Sequence, residues 1–508
     1  MKDRAQKPSS MLELVGGLHP KDLRSWFLGV DTLHPVVGGQ WLPRAYLDSA
    51  ATSLLMEPAL IATRELLAHG ASSHSTSHHG SQLASEALRW AERAVLDFLS
   101  ADPEQYAVLW TGSGATVGLN LLASGLAGLY PDLPLALVSA MEHHSNDLPH
   151  RRYCSQVIHF PLCGLPEEAG CVDVPALLKL LEEHSGKVRY LAFSAASNVT
   201  GVLNPVDELV QAAHAHGTLA IVDGTQAVSH HPITLSHSRA ELDPDAFVFS
   251  GHKIYAPMSP GVVVMKRALL EKVPPTLVGG GAVLDVTRST YTLSTSPTAR
   301  HQPGTPSISG AMLLGNALSV LRTVGMDRVQ ANEQELLAYA IERLAKLDGV
   351  TVYGDKNLAR TPRVGAIAFN ASNLSHALVA AVLNDFFAVA VRNACFCAHP
   401  YVRELLKREL WSLDLDADDA ESEERIWNER RGMVRASLGI YSTRQDVDRL
   451  IAGVQAMLER PEHFRAEYQL FPDGTFRHRS FVRGGAALFD PAEALNRTLQ
   501  AWSVKAAE

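Results

Sequence analysis

The chain has 508 residues, 46% of them hydrophobic and 19% charged, which suits two or three domains with large buried cores. Its 45 Lys and Arg residues against 54 Asp and Glu residues give a net charge of −9, which argues against nucleic acid or an anionic membrane as the main partner. No apolar run reaches the roughly 18 residues of a membrane helix. The charged start has no apolar core and the five cysteines are sparse, so we expect a reduced, cytoplasmic protein.

Helical and strand patterns alternate along the first 300 residues, which is typical of an α/β fold. Residues 81–99 place apolar side chains on one helical stripe, and 205–217 form a second helix between Pro205 and Gly217. Short apolar runs bounded by turn residues predict buried parallel strands. These runs are Ala107–Trp110, Leu135–Val138, Tyr190–Phe193, Leu219–Val222, Ala246–Phe249 and Val262–Met265.

The pattern changes after Thr305, where a smaller α/β domain is predicted. Its elements are a helix over 310–347, strands over 350–353, 363–369, 388–392 and 435–441, and helices over 375–386 and 445–459. The predicted division is a segment 1–45 that packs on the small domain, a large domain 46–305, a small domain 306–460 with an acidic insertion at 411–426, and an extension 461–508.

Four polar segments follow predicted strands, where ligands bind in open α/β sheets. Lys253, in Ser-Gly-His-Lys, is a candidate imine-forming amine, and Asp223 can hold a cationic ring nitrogen. The Gly/Ser/Thr turn at 111–116 resembles a phosphate cradle at a helix start, and His143 can stack on an aromatic ring. Each segment alone is also compatible with an ordinary loop, but together they suit pyridoxal phosphate (PLP).

No metal site is expected, because the histidine clusters lack carboxylate or cysteine partners at familiar zinc spacings. Cys154, Cys163 and Cys171 are irregularly spaced and are interpreted as structural or incidental.

Eight segments resemble the PLP-dependent class V aminotransferase superfamily, and within it the cysteine desulfurase/selenocysteine lyase branch. They are YLDSAATS (46–53), EHHSN (142–146), SNVTGVLNP (197–205), VDGTQAVSHHP (222–232), FSGHKIYAP (249–257), GTP (304–306), VRNACFCAHP (391–400) and VRASLGIYST (434–443). The resemblance covers about residues 45–460. It implies the α/β PLP-dependent transferase fold type I, with a large mostly parallel-sheet domain and a smaller C-terminal α/β domain.

The resemblance also implies roles for individual residues. Lys253 binds the cofactor covalently, Asp223 pairs with its ring nitrogen, and His143 stacks on its ring. Asn198 and Gln226 lie near the ring hydroxyl or the carboxylate. The phosphate site is formed by Gly114, Thr116, Ser250 and His252. Thr305 completes that site from the other subunit of a homodimer. Arg435 binds the carboxylate of an amino-acid substrate with Arg392 beside it, and His74 and His78 line the approach.

Cys397 matches the family's nucleophilic cysteine, which takes sulfur from cysteine and leaves alanine and a persulfide. The chain departs from the family in having Asn393, Ala394, Cys395 and Phe396 before it. The Cys-X-Cys pair also resembles the loop of molybdenum-cofactor sulfurases, and its two thiols could relay sulfur to an acceptor protein.

Three functions remain open at this point. They are a homodimeric desulfurase or selenocysteine lyase, a class V enzyme of transamination, epimerisation or carbon–sulfur cleavage on another amino acid, and a non-catalytic sulfur-trafficking protein. The complete set of Lys253, Asp223 and His143 argues against the third.

Overall fold

The computed structural model describes residues 15–73, 75, 77–164, 170–407 and 431–507. His74 and the predicted acidic insertion 411–426 lie outside the described residues.

Seven strands form the central sheet of the large domain. They are β1 (Tyr106–Thr111), β2 (Leu135–Ser139), β3 (Gln156–Phe160), β4 (Val188–Ser194), β5 (Leu219–Asp223), β6 (Ala246–Ser250) and β7 (Gly261–Lys266). Their order across the sheet is β1-β7-β6-β5-β4-β2-β3. Strands β2 to β6 pair in parallel, so the prediction of a mostly parallel sheet is confirmed.

The parallel assignment is wrong at one edge, where β7 runs antiparallel to both β1 and β6. The predicted runs Val262–Met265 and Ala107–Trp110 belong to these strands. Only residues 251–260 connect β6 to β7, and a parallel crossover needs about a dozen residues or more. Strand β3 escaped prediction because the polar residues Gln156 and His159 interrupt its apolar pattern.

The sheet is buried on both faces, which explains its nearly continuous apolar strands. Along β6, Phe247 and Phe249 belong to one core cluster, while Ala246 and Val248 belong to the cluster on the other face. The helices of this domain include Glu57–His69, His79–Phe98, Gly114–Leu129, Leu148–Tyr153, Val174–Glu183 and Val206–Ala215.

The helix predicted over 310–347 is two helices, Ile308–Val324 and Met326–Ala345. They meet at Gly325, whose φ of 95° is readily adopted only by glycine. Among the described residues no single helix is long and apolar enough to cross a membrane, and only this pair, bent by 79°, passes that test by length and composition.

A second, four-stranded antiparallel sheet forms the small domain. Its strands are β8 (Val350–Val352), β9 (Ala366–Ala371), β10 (Arg392–Ala394) and β11 (Met433–Ser437), in the order β8-β9-β11-β10. The strand predicted over 388–392 is divided, because Val389–Ala390 pairs with Ala45–Tyr46 instead. Helices His376–Phe387 and Arg444–Glu459 are close to their predicted bounds.

The two terminal segments contact this smaller body. Arg24 lies 3.0 Å from the Asp446 carboxylate, and Asp385 receives Arg483 at 2.6 Å and the Tyr468 hydroxyl at 2.9 Å. The exact domain boundaries stay a prediction.

The remaining elements are short apart from the C-terminal helix. They are the hairpins Leu33–Pro35/Trp41–Pro43, Val283–Val286/Tyr291–Leu293 and Tyr468–Leu470/Phe476–His478, the helices Arg267–Leu270, Pro297–Arg300, His399–Leu405, Pro461–Glu467, Gly485–Leu488 and Pro491–Ala507, and the 3-10 turns Pro20–Trp26, His144–Asn146, Ala240–Leu242 and Gly251–Lys253.

Candidate active site

A cavity of about 300 Å³ lies beyond the carboxyl ends of the parallel strands, between the two sheets. Eleven of the predicted site residues line it: Thr116, His143, Asn198, Asp223, Gln226, Ser250, His252, Lys253, Arg392, Cys397 and Arg435. Residues separated by more than 300 positions thus face one space, because loops at the ends of parallel strands converge at one edge of the sheet.

Lys253 follows β6 in a single 3-10 turn, Gly251–Lys253, which brings its amine to the cavity. Burial, and then the positive charge of Arg435, lower the pKa of Lys253 to about 8. A considerable fraction of the amine is therefore neutral near physiological pH. A neutral amine is the nucleophile needed to form an imine with an aldehyde.

Asp223 ends β5 with its side chain almost fully buried, at 5% exposure. The backbone N–H of Thr225 donates to its Oδ1 at 2.9 Å. Burial raises the pKa of Asp223, and the nearby Lys253 opposes this rise. A buried carboxylate needs a cationic or hydrogen-bonding partner, and here it faces a cavity in which such a partner fits.

His143 lies on the loop after β2, and its Nδ1 accepts a hydrogen bond from the Ser145 backbone N–H at 3.0 Å. Burial, and then Lys253, lower the pKa of His143 to about 3. The imidazole is therefore neutral, and its ring can pack on an aromatic ring without bringing a positive charge.

The predicted phosphate cradle at 111–116 contacts the end of β6 and the loop after β2. The Ala115 backbone N–H donates to Ser250 Oγ at 2.7 Å, and the Thr116 and Ser145 hydroxyls are 2.7 Å apart. Gly114 has a φ of 63°, and a Cβ there would lie 2.7 Å from Ser250 Oγ. Glycine is thus required by both the backbone and the close packing. Hydroxyl groups and the start of helix Gly114–Leu129 together form a surface suited to an anion.

His252 lies beside this cradle. Its Nδ1 is 3.3 Å from Thr52 Oγ1. Burial, and then Lys253, lower the pKa of His252 to about 4, so the side chain acts here as a neutral hydrogen-bonding group.

Arg435 is a buried cation on β11, exposed by only 3%. Its Nη1 donates to the Asn198 carbonyl at 2.7 Å, and its Nη2 lies 3.4 Å from Asp48 Oδ1. Within the described residues its buried Nε has no hydrogen-bond partner. Burial lowers the pKa of Arg435 to about 10, which leaves it charged and able to bind a small carboxylate.

Cys397 is exposed and lines the cavity together with Arg392, which pairs with Arg435 across β10 and β11. Cys395 is different, because it is buried and its Sγ donates to the Arg431 carbonyl at 3.1 Å. Burial raises the pKa of Cys395. These features favour a packing role for Cys395.

Four predicted residues are not part of the cavity lining or lie outside the described residues. His78 precedes the helix His79–Phe98, Thr305 is exposed, and His74 lies outside the described residues. Gly114 contributes through its backbone, as described above.

Sequence reasoning missed Ser145, Thr225, Phe396 and Glu142. Ser145 and Thr225 each lie two residues from a predicted site residue, and that proximity was the available signal. The Phe396 ring stacks on Arg435, with the guanidinium carbon 4.8 Å from the ring centroid. Only the fold brings those two residues together.

Glu142 is buried behind the cavity. It accepts hydrogen bonds from the Asn146 side chain at 2.6 Å, the Ser194 backbone N–H at 2.8 Å and the Ser194 hydroxyl at 2.5 Å, and it also contacts the Ser139 hydroxyl. Burial raises the pKa of Glu142 to about 7. This carboxyl group ties the His143 loop to the end of β4.

A buried amine, a buried carboxylate, a neutral imidazole and an anion cradle at the ends of parallel strands define an α/β enzyme site of the kind that holds a phosphorylated aldehyde. The family model for aminotransferase class V matches residues 45–450. The chain belongs to the aminotransferase class-V family, whose enzymes depend on PLP, and this confirms the resemblance found in its motifs.

Relatives within the family carry the name cysteine desulfurase. One from Escherichia coli is 34% identical over 418 residues, which are 82% of this chain and 93% of the relative. The apo structure of a cysteine desulfurase from Thermococcus onnurineus has a TM-score of 0.73 at 26% identity, covering 87% of this chain and 98% of that one. An Escherichia coli cysteine desulfurase, solved as its S-sulfonic acid, has a TM-score of 0.69 at 27% identity, covering 87% and 99%.

Proposed function

We propose that the chain is a PLP-dependent cysteine desulfurase that converts cysteine, or selenocysteine, to alanine. The observation that carries this proposal is a single cavity lined by Lys253, Arg435 and Cys397. In the reaction with cysteine, the substrate's carbon–sulfur bond breaks and the sulfur forms a new bond to Cys397 Sγ. The substrate β-carbon gains a proton, so alanine and a persulfide on Cys397 account for all atoms without an external oxidant or reductant.

The residues of the cavity fit PLP. Lys253 would hold its aldehyde carbon covalently, Asp223 would hold its ring nitrogen, and His143 would pack on its ring. Thr116, Ser250, His252 and the N–H groups after Gly114 would hold its phosphate, and Asn198 and Gln226 its ring edge. When bound, the cofactor supplies an electron sink next to the substrate's α-carbon.

The substrate carboxylate would bind Arg435, because the Nε of this buried guanidinium is unpartnered among the described residues. Arg392 adds a second positive charge beside it. His74 and His78 stay predictions for the approach to the site.

Cys397 would be the nucleophile. Its exposure at the cavity wall suits both attack on substrate sulfur and later release of that sulfur to an acceptor protein. Cys395, buried and bonded to a carbonyl, would not be a second nucleophile.

Replacing Cys397 with Ser tests the proposal. Cys397→Ser should retain cofactor absorbance and substrate binding but form no persulfide and no alanine from cysteine. Cys163→Ser is the matched control, since Cys163 is also an exposed cysteine and does not line the cavity. Alanine and protein persulfide are measured together by mass spectrometry. Undiminished desulfuration by Cys397→Ser would contradict the proposal and favour transamination, epimerisation or another carbon–sulfur lyase reaction.

We also propose that the enzyme is a homodimer in which Thr305 reaches the phosphate site of the partner subunit. Support comes from the exposed position of Thr305 and from the exposed apolar side chains Leu284, Val286 and Tyr291 on a nearby hairpin. Gly304 is linked to the segment before that hairpin by a hydrogen bond to Gly280 at 2.7 Å. A cytoplasmic location stays a prediction from composition.

A further inference from the structure

The loop that carries Cys397 is held in an unusual backbone conformation between β10 and the helix His399–Leu405. Ala394, Phe396 and Cys397 have positive φ values of 93°, 52° and 56°. Residues with a Cβ adopt such values rarely, and they keep them only where the surroundings hold the backbone in place. The position of the thiol therefore depends on the contacts of its loop.

Two of these contacts come from loops of the large domain. Asn198 Nδ2 donates to the Phe396 carbonyl at 2.7 Å, and the His144 backbone N–H donates to the Cys397 carbonyl at 2.7 Å. His144 lies next to His143 on the loop after β2. The same loop thus supplies a ring to the cavity and an anchor to the cysteine.

His144 and His399 form a direct contact between the loop after β2 and the helix that follows Cys397. His399 Nδ1 lies 3.1 Å from His144 Nε2, and the His399 backbone N–H donates to the same nitrogen at 3.3 Å. A backbone N–H can only donate, so His144 Nε2 carries a lone pair and His144 is neutral. His399 Nδ1–H is then the second donor to that nitrogen.

We propose that His399 is a positioning residue. Its hydrogen bonds to His144 hold the Cys397 thiol where it can reach the substrate sulfur. This inference rests on the desulfurase function proposed above. The pair joins the start of a small-domain helix to a loop of the large domain, with Cys397 between the two. Among the described residues, the other hydrogen bond between the loop after β2 and the Cys397 loop is the one from the His144 backbone N–H to the carbonyl of Cys397, a residue with a positive φ.

The connection requires an unprotonated His144. The charged or titratable groups around His144 include His143, His399, Asp147 and Arg151. Asp147 also binds His159 at 2.9 Å. Burial, and then His399, lower the pKa of His144. The connection is therefore present at neutral pH and is lost in acid, when Nε2 gains a proton and ceases to accept.

The test compares two variants of the full-length holoenzyme. His399→Leu removes the side-chain donor, while His399→Asn places an amide N–H close to the position of Nδ1. His463→Ala is the control, because His463 is an exposed histidine on a helix that does not line the cavity. Cysteine turnover is followed by alanine release between pH 5 and 8, with persulfide on Cys397 measured by mass spectrometry.

For His399→Leu we expect kcat to fall about tenfold or more, because a misplaced nucleophile loses its effective concentration. The KM for cysteine should stay within about twofold, since Arg435 is untouched. His399→Asn should recover most of the kcat. The part of the fall in kcat at acid pH that comes from protonation of His144 should be smaller in His399→Leu than in wild type. A His399→Leu enzyme with wild-type kcat, or an Asn variant as slow as the Leu variant, would overturn the proposal.

Hydrogen exchange of residues 394–399 in the substrate-free holoenzyme provides a second measurement that does not depend on the reaction. Exchange should be faster in His399→Leu than in wild type at pH 7, and near wild type in His399→Asn. Equal exchange in all three proteins would refute the positioning role. A wild type that forms no persulfide would refute the desulfurase function instead, while exchange still decides whether His399 holds the loop.

Discussion

At the scale of single residues, burial sets the ionisation of the cavity. It lowers the pKa of Lys253 to about 8 and of His143 to about 3, and it raises the pKa of Asp223. The lysine shift favours a reactive amine and the histidine shift a neutral ring. Asp223 is the exception, because it must be charged to hold a pyridinium. Hydrogen bonds from Thr225 partly offset its burial, and a cationic partner would offset it further.

The lysine pKa predicts the pH dependence of cofactor attachment. In the apoprotein, Lys253 should react with added PLP at a rate that rises as pH increases through about 8, rather than near the ordinary value of 10.5. The neutral amine, which is present above the pKa, is the attacking form. Absorbance during reconstitution measures the rate, and Lys272→Ala is a control for an exposed lysine. Reconstitution of Lys253→Ala with a covalent absorbance band would contradict the assignment.

Asp223→Asn tests the ring-nitrogen partner. The amide has nearly the same shape but no charge to hold a protonated ring, so turnover should fall by about 10² or more. Steady-state alanine formation measures the loss, and cofactor content by absorbance separates slow chemistry from failed binding. Near-normal turnover with full cofactor content would show that another residue has this role.

At the scale of elements, loops join the strands to the cavity through buried polar contacts. Glu142 binds the ends of β2 and β4 together through Ser139 and Ser194, and it reaches Asn146 on the turn after His143. The continuation of this network is buried as well, since Asn146 lies 3.1 Å from His150, and His150 lies 3.0 Å from the Tyr190 hydroxyl. The His143 loop is thereby fixed from behind.

Glu142 predicts a pH-dependent stability. Its folded pKa of about 7 exceeds the ordinary 4.5, so its favourable contribution is complete below about pH 4.5 and is lost as pH rises through 7. Glu142→Gln lacks this titration, and its free energy of unfolding should therefore improve relative to wild type over that range, by up to about 3 kcal/mol. Denaturant unfolding at pH 5 and pH 8 measures the difference. If the difference in free energy of unfolding between Glu142→Gln and wild type were the same at pH 5 and pH 8, Glu142 would be ionised in the folded protein.

At the scale of the whole molecule, the site is shared between the two sheets. The large domain supplies Lys253, Asp223 and His143, and the small domain supplies Arg435 and Cys397. The pairing of Arg392 with Arg435 places two positive charges on adjacent strands, which suits a negatively charged substrate group.

The proposed homodimer predicts the effect of charges on the exposed hairpin. Replacing Leu284 and Val286 with Lys, at side chains that are 69% and 61% exposed, should leave the monomer folded but prevent association by burying unpaired charges. Sedimentation measures the oligomeric state. Absorbance measures how much cofactor is lost when Thr305 of the partner subunit no longer completes the phosphate site. Val482→Lys, at an exposed apolar residue of the C-terminal segment, is the control. Wild type that sediments as a monomer and still binds PLP tightly would contradict the dimer.

The sequence by itself determined the α/β class, the strand ends that carry Lys253, Asp223 and His143, and the family. These features are local, because an apolar run followed by a polar residue predicts a buried strand with a side chain at its carboxyl end. Only the tertiary structure decided the antiparallel direction of β7, the bend at Gly325 and the contacts of Glu142, Phe396 and His399. Strand direction, side-chain stacking and buried hydrogen bonds depend on which distant segments contact each other. Hydrophobic periodicity is a local property of the chain and does not specify those contacts.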